Sequence, residues 1–62
     1  MRKVLVTYTD IIGVEDSVEI QDFPRPAEPD TVFLGRVKNT VKKVLDNGED
    51  TVGSTVTNAK FI

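Results

Sequence analysis

The sequence predicts an α+β domain of order β-β-α-β, a three-stranded and mainly antiparallel sheet with one helix packed across a face. Three observations carry this expectation. Residues 4–12 and 17–23 are rich in β-branched and aromatic side chains with strand-like alternation. Residues 31–45 repeat their apolar positions at helical spacing. Between the two patterns stand Pro24, Pro26 and Pro29, which no strand or helix interior tolerates well.

In the first segment Val4, Val6 and Tyr8 alternate with Leu5, Thr7 and Thr9, and the pattern runs on through Ile11 and Ile12. Both faces hold apolar groups, as a central strand requires. Gly13, Glu15 and Asp16 mark a turn. Ser17 to Phe23 then forms a second strand, with Val18 and Ile20 on one face and Glu19 and Gln21 on the other. Two neighbouring strands with a short polar link pair most simply as an antiparallel hairpin. The prolines end the second strand, because each lacks a ladder donor and restricts the residue before it. Pro26 and Pro29 match P-x-x-P in form, but a stiff connector from strand to helix explains them without a ligand role.

From Asp30 or Thr31 onward, Phe33, Leu34, Val37, Val41, Val44 and Leu45 fall within an arc of about 120° on a helix turning about 100° per residue. Asp30 is the expected N-cap, and Asn47-Gly48 the expected end, with Gly48 left-handed. The β-branched Val32, Val37, Thr40, Val41 and Val44, with Gly35 inside the segment, argue the other way. The competing reading makes 32–38 and 40–46 strands of a small all-β barrel. Helical period and both end signals favour the helix. Residues 50–62 supply a last strand whose pairing begins at Thr55, after a loop or bulge at Gly53.

The 62 residues form a single domain, 1–62, with no internal repeat. A chain this short buries only about 60% of its extended surface, so its core alone leaves it marginal. With no Cys and no His, disulfides are excluded and a structural zinc site lacks its usual ligands. Self-association into a homo-oligomer, a homodimer first, is the expected remedy. No apolar run approaches membrane-spanning length, and Arg2-Lys3 with so short a stretch behind it is no signal peptide. A cytoplasmic protein is expected, with no membrane partner.

The residue types narrow the chemistry. Without His, no Ser-His pair forms within the chain, so hydrolysis of that kind is excluded. Asp10, Glu15 and Asp16 lack the oxygen-ligand spacing of a calcium loop, and Gly35, Gly48 and Gly53 are too isolated to cradle phosphate. No catalytic, cofactor-binding or metal-binding residue is expected, and the chain reads as a non-enzyme.

Two surfaces are left as candidates. Arg36, Lys38, Lys42 and Lys43 give residues 31–45 a charge of +4, while Arg25 alone opposes seven acidic residues over 10–30. Leu5 and Ile11, on the sheet face away from the helix, either form a modest apolar patch with a residue of the last strand or stand as two scattered apolar side chains on a wet face. These six residues make up the candidate interaction surface. The function they support is a small interaction or accessory protein that binds itself or another protein. Weak nucleic-acid binding through the basic helix is the alternative, opposed by the net charge of −2 and the lack of an exposed aromatic for stacking. In length, plan and acidity the chain is similar to small proteins of phages and other mobile elements, a likeness that rests on no motif.

Overall fold

A computed structural model describes all residues, 1–62. Strand β1 spans Arg2–Thr9, β2 Glu15–Asp22, helix α1 Asp30–Asn47 and β3 Thr55–Phe61. The sheet order is β2-β1-β3, and both pairings are antiparallel. The α+β plan is therefore as expected, and the sheet is open rather than closed into a barrel. Residues 32–46 are helical, so period decides over β-branching.

The first strand stops at Thr9, three residues short of the expected Ile12. Asp10 is the reason. Its Oδ1 accepts the backbone N–H groups of Ile12 and Val14 at 3.0 and 2.9 Å, which turns the chain away from the ladder. Gly13 completes the turn at φ +92°, a region open to glycine. Pairing resumes at Glu15, two residues earlier than the expected Ser17.

Strand β1 is central because it can be buried on its helix-facing side by both neighbours. Val4 pairs with Ile20 and Phe61, and Val6 with Val18 and Ala59, so these six side chains share one face. Val4 and Val6 are 0% exposed. Strict alternation along β3 would turn Val56 away from that face. A bulge opposite Thr7 and Tyr8 corrects this: Thr7 pairs with Asn58 and Tyr8 with Val56, leaving Thr57 as the extra residue. Val56, Ala59 and Phe61 thereby all reach the core.

Helix α1 lays Phe33, Val37, Val41 and Leu45 on the sheet, one row at spacing four. Phe33 stacks on Phe61 with ring centroids 5.8 Å apart. Arg36 lies over the outer face of Phe33 and Arg2 over that of Phe61, so two guanidinium groups close an aromatic pair.

Both expected helix caps differ from the structure. The N-cap is Pro29, and Asp30 is already helical, with no side-chain capping bond. Proline suits this place because its extended φ, ψ lead into the first turn, while Asp30 still sets a negative charge beside the positive helix end. Gly48 has φ −92°, so it is not left-handed. Its glycine requirement is steric: a Cβ there would collide with the Thr51 hydroxyl. That hydroxyl donates to the Leu45 carbonyl at 2.7 Å and so occupies one of the helix's free C-terminal acceptors.

The connector holds one strained residue, Ala27, at φ +60°. The Glu28 N–H donates to the Arg25 carbonyl at 3.1 Å, and Pro26 sits second in that turn, an arrangement that favours glycine third. Ala27→Gly is expected to raise stability by up to about 1 kcal/mol, as relief of the left-handed strain outweighs the added freedom of the unfolded chain. Phe33→Ala is expected to cost about 3–5 kcal/mol, as much as a domain this size has. Thermal unfolding followed by circular dichroism checks both.

Candidate protein-binding groove

The row Phe33-Val37-Val41-Leu45 is inclined to the helix axis. Following it, the buried side of α1 moves round the helix as the chain approaches Asn47. The helix rests on β3 and β1, leaving β2 largely to one side. Val44 points in nearly the same direction as Phe33 around the axis, yet Phe33 is buried and Val44 is 66% exposed. At the Val44 end the helix has no strand beneath that side.

What results is a groove between α1 and β2, with a volume of about 280 Å³. Val18, Ile20 and Tyr8 form its floor, while Thr40, Val41 and Val44 form its helix wall. Val18, on the helix-facing side of the sheet, is 37% exposed. No charged side chain lines it, and of its three hydroxyl-bearing residues Thr40 and Thr51 donate to the carbonyls of Arg36 and Leu45 at 3.1 and 2.7 Å.

One helical turn before Thr40, ion pairs tie α1 to the end of β2. The Arg36 guanidinium donates to both Glu28 carboxylate oxygens at 3.0 and 3.1 Å, to Asp22 Oδ2 at 3.1 Å and to the Phe23 carbonyl at 3.2 Å. The planar fork thus ties α1 to the end of β2 and to the proline connector. The Glu28 side chain is only 6% exposed and also accepts the Arg25 N–H at 3.0 Å. The hydrogen bonds from Arg36, then that from Arg25, hold its carboxyl at about 2, well below the usual carboxylate range, against a burial effect that raises it. Arg36 is raised in turn, chiefly by its bond to Glu28.

The six residues singled out in the sequence do not form one surface. Arg36 is spent on the clamp. Lys42 Nζ donates to Asp46 at 2.9 Å and to the Ser54 carbonyl at 2.6 Å, which fastens α1 to the start of β3 and lowers the Asp46 carboxyl. Lys38 is half-buried on the β3 side of the helix, whereas Lys43 is exposed towards β2. Leu5 is half-buried on the outer sheet face, where its direct partners are Glu19 and Lys60. Ile11 is 77% exposed in the hairpin turn, close over Gly53 and beyond the strand altogether. Leu5 and Ile11 therefore do not share a strand face, which accords with the reading as scattered side chains, because Asp10 ends the strand before Ile11. The groove residues Val18 and Val44 were legible only as members of the core pattern.

No helix is long and apolar enough to cross a membrane. Comparison with protein-family models, curated proteins and solved structures gives no match to this chain.

The depressed carboxyl of Glu28 has a pH consequence of definite sign. The unfolded chain binds this proton more tightly, so the clamp's contribution is whole above about pH 4.5 and is lost as pH falls towards about 2. Glu28→Gln is expected to lower the thermal midpoint at neutral pH more than Lys43→Ala does. The gap between Glu28→Gln and the parent should close as pH falls through that window, which a series of melts would show.

Proposed function

We propose that this chain is a small non-enzymatic protein-interaction domain that docks an apolar polypeptide face in the groove between α1 and β2. The observation that carries this reading is the exposure of Val18 and Val44 across an apolar floor that the domain's own helix leaves open. Exposed apolar surface with a shaped wall on each side favours association.

A polypeptide fits the groove better than a small molecule does. Small-ligand sites run from about 300 to 1,000 Å³, enclose most of the ligand and set a few polar groups to orient it. Here the volume falls at the lower limit, and the hydroxyls of Thr40 and Thr51 are engaged with helix carbonyls. Side chains of a partner strand or helix would meet such a surface at several points, as helix-in-groove recognition does.

Nucleic-acid binding draws less support. Arg36 and Lys42 are engaged within the chain, and Lys38 and Lys43 lie on opposite sides of the helix. Two separated free cations on the helix offer few phosphate contacts.

Selection from a random peptide library on the immobilised domain tests the proposal. Peptides with patterned apolar residues should be enriched, and their affinity should fall at least about tenfold for Val44→Asp, the loss of roughly 1.4 kcal/mol of contact. Peptides that bind the parent and Val44→Asp alike would sink the groove reading. Binding of duplex DNA at low salt, weakened by Lys43→Ala, would favour the basic helix instead.

A further inference from the structure

The rims of the groove carry opposite charges that nothing within the chain uses. On the strand side Asp16 shares the helix-facing side of the sheet with Val18 and Ile20, directly opposite Tyr8. It is exposed, and its carboxylate accepts only the N–H of its neighbour Ser17. On the helix side Lys43 is exposed beside Val44 and joins no salt bridge.

We infer that the occupant of the groove is a second copy of this chain, related by a two-fold axis running along the groove. The inference rests on the groove being a protein-docking surface and names its partner. An axis in that direction sets the helix rim of one copy against the strand rim of the other. Lys43 of each copy then faces Asp16 of its partner, and the apolar Val44 of each enters the other's groove over Val18. The pairing is isologous, so it closes at two copies. A two-fold perpendicular to the groove would instead place Lys43 near Lys43 and Asp16 near Asp16.

Two further features favour a second copy. The buried apolar core is only seven residues, with no disulfide, so additional burial answers a need of the chain itself. The free edge of β2 carries Glu15, Asp16, Glu19 and Asp22, which oppose strand-to-strand addition of a like chain there. Face-to-face docking beside β2 avoids that repulsion.

Charge reversal tests the inference between chains rather than within one. In sedimentation runs across micromolar to millimolar concentration, the parent should dimerise. Asp16→Lys alone and Lys43→Asp alone should each weaken dimerisation about tenfold, because two attractive contacts become repulsive. An equimolar mixture of the two variants should regain it, since every rim contact is then between opposite charges. A parent that stays at 6.9 kDa throughout overturns the inference. So do single variants that dimerise like the parent, or a mixture that gains nothing. If the parent is monomeric while library peptides still discriminate Val44→Asp, the second copy is wrong and the docking groove stands. If dimerisation and peptide binding both ignore Val44→Asp, the groove itself is wrong.

Discussion

A helix is about 10 Å across, and three strands at about 4.8 Å spacing are nearly as wide. One helix therefore reaches all three only when it sits squarely over the middle one, and set to one side it shelters two. In this chain everything follows from which two it shelters. Phe33, Val37, Val41 and Leu45 meet β1 and β3, where Val4, Val6, Ala59 and Phe61 supply the opposing surface. The third strand is held to β1 by its ladder and to the helix by Arg36, at one end only. The core is complete where Phe33 stacks on Phe61. It is incomplete at the other end, between Val44 and Val18.

Polar contacts fix this asymmetry. Lys42 reaches the Ser54 carbonyl on the β3 side, so the C-terminal half of α1 is drawn towards β3. Arg36 reaches Asp22 and Glu28 on the β2 side, so the N-terminal half is held nearer β2. The helix therefore crosses the sheet obliquely, and the inclined row at spacing four is the packing expression of the same crossing. Arg36 and Lys42 are better understood as fasteners than as a charged surface, and Lys38 is half-buried. Lys43 is the exposed exception on the groove side.

Much of the fold was legible in the sequence because it rests on periodicity, which a single chain displays in full. The helix from Phe33 to Leu45, the pairing of Val4 and Val6 with Val18 and Ile20, and the loop at Gly53 are of this kind. What escaped depends on side chains answering backbone groups. Asp10 falls inside the strand pattern of residues 4–12, yet it ends β1 by accepting two N–H groups. Thr51 reads as a loop residue, yet it caps α1 and explains Gly48. The bulge at Thr57 carries a faint signal, since Val56, Ala59 and Phe61 cannot share a face under strict alternation. The groove was hidden for a different reason. Apolar period marks Val44 and Val18 as inward-facing, but period does not say whether another element arrives to cover them.

Under the proposed reading, the groove serves assembly and is not a defect in packing. Val44 is β-branched, a weak helix former, and mostly exposed, so neither propensity nor burial within the chain favours it over a polar residue. Val18 gains from strand propensity, but the polar Ser17 and Glu19 occupy the exposed positions on either side of it in β2 without disturbing the ladder. Two apolar residues with little to gain inside the domain stand across the same gap, flanked by one unpaired acid and one unpaired base. Interior requirements account for Val4, Val6 and Phe33; they do not account for this set. A contact made outside the chain accounts for all four residues at once, and a symmetric one needs no partner beyond the chain itself.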